Sequence, residues 1–413
     1  MTGLADPEKT IGWRRMGVVT CCLLLTMIDG FDTQSIGFAG PAIIKDWNLP
    51  PAALGPIFSA GLFGALIGAI ILGAAADRFG RIQALTVSVF LFSVGTMATA
   101  FVSSEAALLA VRFFTGIGLG GALPSLLAIP ADQLPAHRRS TGISLVLMGV
   151  PLGASIGGFG SVWVIEAYGW QGMFALAGLA PLPVLAALLA LSRGSSSDRH
   201  GGPISAPPAP DSRGIGLAEI LSPRYRGATI MLWASGFFAV MLTYTLTSWL
   251  PTLLTERGFS MHDAVLATAL FNFGSIFGGL AVGRLSDMRG PFAVIVLAYI
   301  AGAIAIAAIG ASTIIGAALI SITAAGLFAI GGQAGIGILS ATIYDASLRA
   351  RSVGFTLAVG RLGAVFGPLV IGAMLARGTT IPQLFLVGAG VALTVALLMS
   401  VMAYVSRRAR AVD

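Results

Sequence analysis

Residues 16–44 read MGVVTCCLLLTMIDGFDTQSIGFAGPAII, an apolar run long enough to cross about 30 Å of hydrocarbon, with two carboxylates, Asp29 and Asp32, set inside it. Standing three apart, they share one helix face. Every other acidic residue of the chain falls at or near the end of an apolar run or in a loop. A charge at bilayer depth costs about 2.5–3.5 kcal/mol on insertion scales, so residues of this kind line an interior or a water-filled path. The pair marks the working centre of the chain.

Further runs of similar length lie near 54–75, 84–103, 106–130, 140–164 and 170–191, and a second set near 228–254, 264–284, 291–311, 314–342, 353–376 and 381–406. Between the sets, Ser192–Gly227 is rich in Ser, Pro, Gly and Arg and reads as a flexible linker, with a short amphipathic helix at Ile215–Leu221. The pattern predicts an all-α membrane protein of twelve transmembrane helices in two six-helix bundles. The boundaries are a cytoplasmic N-terminus over 1–15, bundles over 16–191 and 228–406, a cytoplasmic linker over 192–227 and a cytoplasmic tail over 407–413.

Composition agrees. Of 413 residues 56% are hydrophobic and 10% charged, against about 25% charged in soluble domains, and the mean hydropathy is +0.91. Cys21 and Cys22 are adjacent in the first span, where neither a structural disulfide nor a metal site is expected. His137, His200 and His262 all fall in loops, so no metal-ligand cluster is expected. Lys9, Arg14 and Arg15 precede a first run too long for a signal peptide and without a small-residue cleavage site, so that span stays in the membrane.

Basic residues concentrate on the cytoplasmic side of a membrane protein. With both termini inside, nineteen of the 24 Lys and Arg fall in cytoplasmic segments and only Lys45, Arg257 and Arg377 outside, while Arg112 and Arg361 lie within spans. The net charge of +7 is therefore topology, and no nucleic-acid partner is needed to explain it. Trp13, Trp47, Trp163 and Trp170 stand at span ends as interfacial anchors. The 55 glycines suit close helix packing and gating, as in Gly61–Gly73 and Gly116–Gly121.

An internal repeat runs through the chain. Gly73-Ala-Ala-Ala-Asp77-Arg78 is echoed by Gly283-Arg-Leu-Ser-Asp287-Met288, and Arg139-Ser-Thr-Gly142 by Arg351-Ser-Val-Gly354. Related halves are how many secondary transporters are built, with binding near the midplane where the repeats meet.

Particular motifs narrow the class. Gly73–Arg81 (GAAADRFGR) resembles the loop 2–3 signature of the major facilitator superfamily, and Arg112-Phe-Phe-Thr-Gly116-Ile-Gly118 resembles its fourth-helix motif. Together with the Asp29–Asp32 DGFD, Trp249-Leu250-Pro251, and Gly360-Arg361-Leu362-Gly363 before Gly367-Pro368, they resemble the aromatic acid:proton symporter family. The chain departs from that family's pattern at Ser125, Asp132, Asp345 and Phe355. The resemblance implies a multi-pass protein of the bacterial inner membrane that imports an aromatic carboxylate such as a hydroxybenzoate, protocatechuate or benzoate with protons, working as a monomer and needing no cofactor beyond the proton gradient. The alternatives are a proton-coupled antiporter exporting drugs or metabolites, and an importer of another organic acid such as muconate. Against the antiporter, span 5 reads Gly149-Val-Pro151-Leu-Gly153-Ala-Ser-Ile-Gly157-Gly158 and lacks the Gly-Pro-x-x-Gly-Gly element of exporters. No His-Glu-x-x-His and no phosphate loop points to an enzyme.

Physical reading gives these residues roles. At about 1.5 Å per residue, Asp29 lies roughly 20 Å and Asp32 roughly 24 Å along span 1, while Arg112 lies about 9 Å from the outer end of span 4, a comparable depth. Burial raises a carboxylate's proton affinity and a guanidinium lowers it. Asp29 or Asp32 is thus expected to carry the coupled proton, with Arg112 competing for the carboxylate. A static ion pair between spans 1 and 4 is the competing reading. Arg361, near the midplane of span 11, has the planar fork suited to a substrate carboxylate. Tyr244, whose hydroxyl is a polar handle in an apolar span, leads the aromatic candidates for the substrate ring, which also include Phe31 and Trp249. Asp77, Arg78, Gly80, Arg81 and Asp287 sit too shallow to meet substrate and read as a cytoplasmic gate latch, Gly80 supplying a tight turn.

Overall fold

A hydrocarbon environment offers backbone groups no water, so a spanning segment satisfies them internally as helix. A computed structural model describes residues 12–192 and 217–410. Lys9, Arg193, Arg199, His200, Arg213 and most of the expected linker lie outside the described residues.

In chain order the helices are α1 (Trp13–Trp47), α2 (Leu54–Phe79), α3 (Arg81–Thr99), α4 (Glu105–Gln133), α5 (Ala136–Leu179) and α6 (Pro181–Ser192). After a short helix α7 (Leu217–Ile220) come α8 (Arg226–Glu256), α9 (Met261–Arg289), α10 (Pro291–Ala311), α11 (Ile315–Thr342), α12 (Ala346–Ala376) and α13 (Ile381–Arg410). Most outrun their apolar runs because the hydrogen-bond ladder continues past the hydrocarbon until a cap or turn stops it. The run 264–284, for example, becomes Met261–Arg289, started by Ser260, whose hydroxyl accepts from the Asp263 amide at 3.0 Å. Conversely, the run 84–103 yields a helix that stops at Thr99, ahead of Ser104, which caps α4 through the Ala107 amide at 3.3 Å.

Among the described residues, eleven helical stretches are long and apolar enough to cross a membrane. One of them, His137–Ser192, has 56 residues and would extend about 84 Å as a straight helix, far more than one crossing. It turns at Gly169, whose φ of 70° and ψ of 176° lie outside any helix. Gly378, with φ 79°, makes the turn between α12 and α13 in the second half. The repeat is written in the backbone elsewhere too. Gly80 (φ 97°) is the whole connection between α2 and α3, and Gly290 (φ 83°) the whole connection between α9 and α10. A side chain at either position would be strained, which is why both are glycine. One anchor expectation is corrected: Trp163 is 63% exposed, whereas Trp170 is 3% exposed and packs edge-on to Phe174 with centroids 6.2 Å apart.

The described residues fall into two compact units, 12–35 with 60–192 and 36–59 with 217–410. Inside each unit, helices touch backbone to backbone at glycines. In the first, a Cβ on Gly64 or Gly68 of α2 would overlap the carbonyls of Phe113 or Ile117 on α4, and one on Gly116 or Gly120 of α4 the carbonyls of Gly61 or Ala65 on α2. Likewise, Gly30 of α1 lies on the Val150 backbone of α5, and Gly153 of α5 on Met27 of α1. The second unit repeats the scheme, with Gly274 and Gly278 of α9 on Thr323 and Leu327 of α11, and Gly363 of α12 on Phe237 of α8. Lipid tails are as apolar as the side chains, so such close van der Waals approach, rather than exclusion from water, holds the helices together.

Two neighbouring glycines test this. Gly278 meets the Leu327 carbonyl, whereas nothing lies within 4 Å of a Cβ on Gly279. Gly278→Ala should destabilise by about 1–3 kcal/mol through overpacking. Gly279→Ala should be neutral or slightly stabilising, since alanine is the better helix former by up to about 1 kcal/mol. Thermal melting of the detergent-purified variants reads the difference.

Candidate functional site

Asp32 is a carboxylate buried in the interior of the first unit. Its side chain is 1% exposed and that of Arg112, opposite it on α4, 3%. Arg112 Nη2 donates to Asp32 Oδ1 across 3.3 Å, a single contact rather than a two-pronged one. Ser35, one turn along α1, donates to the Asp32 carbonyl at 2.7 Å and lies 3.2 Å from Oδ1. The same hydroxyl accepts from Arg112 Nη1 at 3.3 Å. Thr96 of α3 donates to the other carboxylate oxygen, Oδ2. The Phe174 ring, in the part of α5 beyond Gly169, lies under the Arg112 guanidinium with its centroid 5.4 Å from Cζ.

Glycines make this convergence possible. A Cβ on Gly118 of α4 would overlap the backbone of α3 at Phe92, and one on Gly95 of α3 would overlap Thr115 of α4. The two helices are therefore close enough for Thr96 and Arg112 to reach the same carboxylate. Asp29, a turn earlier on α1, is also buried, at 6%. The structure thus unites Asp32 with Arg112, as the depths along spans 1 and 4 suggest.

The remaining candidates are dispersed. Arg361 is half-buried on α12, between Gly360, which packs on the Val240 side chain, and Gly363. Tyr244 is half-buried on α8, next to Thr243, whose hydroxyl donates to Gln333 Oε1 of α11 at 2.8 Å. Phe31 is half-buried and lies over Gly157 of α5. Trp249 is different: it is fully buried, its indole N–H donates to the Pro368 carbonyl at 3.2 Å, and Phe58 meets its ring edge-on at 5.3 Å. This geometry makes Trp249 a packing residue of the second unit.

At the end of α2, Asp77 and Arg78 are exposed, and Arg78 stacks over Phe79 at 5.3 Å. Arg81, at the start of α3, pairs with Asp132 near the end of α4 and reaches the Ala128 carbonyl at 3.4 Å. Asp287 is exposed near the end of α9. A comparable polar knot stands before α12, where Asp345 accepts from the Tyr225 hydroxyl at 2.7 Å with Arg224 3.6 Å away. That hydrogen bond to the carboxylate, with some burial, holds the Tyr225 phenol above the usual tyrosine range.

Ser35, Thr96, Phe174, Thr243 and Gln333 were not singled out by the sequence alone. Gln333 was the most findable, an amide in an otherwise apolar span. Thr96 resembles many other threonines that satisfy themselves on their own helix.

Residues 22–335 match the model of the Major Facilitator Superfamily. The chain belongs to this superfamily. It is 35% identical over 391 residues to a gallate transporter of Pseudomonas putida, covering 89% of this chain and 87% of that one. It is 33% identical over 410 residues to the 4-hydroxybenzoate transporter PcaK of Pseudomonas aeruginosa (92% and 90% covered), and 36% identical over 369 residues to the 3-(3-hydroxy-phenyl)propionate transporter of Escherichia coli (89% and 88%). Family and subfamily thus agree with the motifs quoted above: this is a member of the aromatic acid transporter branch. Among solved structures, a D-xylose–proton symporter matches with a TM-score of 0.75 at 17% identity, covering 93% of this chain and 97% of that one. A bacterial homologue of the lysosomal transporter Spinster matches at 0.70 and 19%, covering 95% and 96%. At these identities the likeness speaks for the fold.

Removing one member of a buried pair strands the other charge, at about 3–5 kcal/mol, whereas removing both charges costs far less. Arg112→Ala should therefore lower the melting temperature markedly, and Arg112→Ala combined with Asp32→Asn should recover much of the loss.

Proposed function

We propose that the protein takes up an aromatic carboxylate together with protons across the bacterial inner membrane, by alternating access of bundles spanning 16–191 and 228–406, with both termini cytoplasmic and a single chain as the working unit. The observation that carries the substrate class is that relatives covering about nine-tenths of this chain are named transporters of gallate, 4-hydroxybenzoate and 3-(3-hydroxy-phenyl)propionate. Their common chemistry is a carboxylate and a hydroxylated ring.

Support for proton coupling is the buried Asp32–Arg112 pair. When Asp32 is charged, the guanidinium neutralises it; when a proton takes over that task, Arg112 is freed, and one neutral and one charged arrangement alternate in the same place. A driving gradient of protons needs no bound cofactor, and Asp29 and Asp32 remain the two candidate carriers. The substrate's carboxylate is assigned to Arg361 through its two-pronged fork, and the ring to Tyr244 and Phe31. Asp77, Arg78, Gly80, Arg81 and Asp287 act at the cytoplasmic face as the latch, the Arg81–Asp132 pair being one contact that opens and closes.

Uptake of labelled 4-hydroxybenzoate into energised proteoliposomes tests the proposal, with benzoate, protocatechuate, gallate and muconate as competitors. Accumulation should depend on an inward proton gradient and collapse with a protonophore. Asp32→Asn should abolish uphill accumulation, and Arg361→Ala should raise KM at least tenfold, the loss expected for a charge-assisted bond worth about 1.5–3 kcal/mol. Gradient-independent uptake, or extrusion in place of accumulation, would overturn the symport reading.

A further inference from the structure

Asp32 presents two unlike oxygens. Oδ1 faces the Arg112 guanidinium at 3.3 Å and Ser35 at 3.2 Å, whereas Oδ2 accepts from Thr96. The difference matters once a proton arrives. A guanidinium has only donors, so a hydroxyl formed on Oδ1 would point at N–H groups with nothing to receive it. Ser35 relieves that conflict only in part: its oxygen takes Arg112 Nη1, gives its hydrogen to the Asp32 carbonyl at 2.7 Å and keeps one lone pair, but a protonated Oδ1 would be a poorer acceptor for Arg112 Nη2 than the carbonyl oxygen it remains when the proton sits on Oδ2. Thr96 faces Oδ2, the oxygen that Arg112 leaves free, and its hydroxyl has one hydrogen to give and two lone pairs to receive.

The way α3 spends its other hydroxyls sharpens the contrast. Thr86, Ser88 and Thr99 each donate to the carbonyl four residues earlier, at 2.8, 2.8 and 3.0 Å, the local bond such side chains make in a helix. Ser93 donates to the Gly178 carbonyl. Thr96 alone among these gives its hydrogen to a carboxylate, and the carbonyl four residues before it, that of Phe92, is the acceptor its neighbours' pattern provides if it turns away.

We propose that Asp32 is protonated on Oδ2 and that Thr96 receives the new O–H, reversing from donor to acceptor. This rests on the reading of Asp32 as a proton carrier. In the step, a hydronium ion gives its proton to Oδ2 and leaves as water; the carboxylate becomes a neutral carboxyl; the Thr96 O–H bond is not broken but rotates toward its own helix. The charged group in contact with this carboxyl is Arg112 from α4; Asp29 is buried a turn earlier on α1, and the Phe174 ring of α5 lies beside Arg112. Thr96 is thus a direction switch: it steadies the carboxylate in one state and holds the acid's hydrogen in the other.

Infrared difference spectra of reconstituted protein across a pH step test this through the carboxylic C=O band of Asp32, identified by its loss in Asp32→Asn. Thr96→Val, which keeps the shape and removes the hydroxyl, should move that band to higher wavenumber, and Thr96→Ser should restore its position. Should Thr96→Val fail to insert, Thr96→Ala carries the same expectation. A band that Asp32→Asn leaves in place would overturn the proton-carrier reading itself. A band lost in Asp32→Asn yet unmoved in a folded Thr96→Val or Thr96→Ala, or moved equally in Thr96→Ser, would overturn the role of Thr96 and leave that reading standing.

Discussion

A carboxylate in the middle of a membrane helix is tolerable only while something nearby balances its charge and fills its lone pairs, and the first unit is arranged around meeting that demand at Asp32. One helix brings the guanidinium, another a hydroxyl, and Asp32's own helix a second hydroxyl. A buried pair of this kind is poor evidence for stability, because well-packed apolar residues would serve as well or better. Its geometry points the same way: a single Nη2 contact at 3.3 Å binds less firmly than a bidentate fork. Each partner also has neutral company when the other is lost, Thr96 and Ser35 for the acid, Ser35 and Phe174 for the arginine. The arrangement suits a charge that comes and goes better than one meant to stay.

Bringing those side chains together is a backbone problem, and glycine solves it. Side chains of ordinary size on α3 and α4 would keep the helices apart by more than a threonine can reach. With Gly95 and Gly118 at the crossing they lie in contact, and with Gly64, Gly68, Gly116 and Gly120 the same holds between α2 and α4. Packing and polarity are therefore coupled: the small residues that replace the hydrophobic effect as the cohesive device also set the distances at which the polar groups meet.

Much of this was legible in the residues themselves. Hydropathy located the spans, the repeat placed Asp77 against Asp287, and depth alone put Asp32 level with Arg112, because a helix has a fixed rise. What depth does not give is azimuth. Whether Thr96 faces α1 or its own helix, or whether Trp249 looks into a cavity or into packed helices, depends on how each helix is rotated, and that is decided by contacts distant in sequence such as the Trp249–Pro368 hydrogen bond. The turn at Gly169 shows another limit. Its position is visible as the gap between the runs 140–164 and 170–191, yet the local chain is so tightly wound that helix continues on both sides of a single residue. Trp170, one place beyond, is drawn inside by that turn instead of standing at the interface.

The spacing of the left-handed glycines carries one more implication. Gly80 and Gly290 hold the same connection in the two halves, as do Gly169 and Gly378, and the separations of the two pairs differ by a single residue. Adding or deleting one residue within a helix rotates everything after it by about 100°, turning lipid-facing side chains inward and glycine faces away from their partners. Sequence in the two halves has diverged widely while length has been held almost constant, so for this chain the number of residues between turns is a stricter inheritance than their identity.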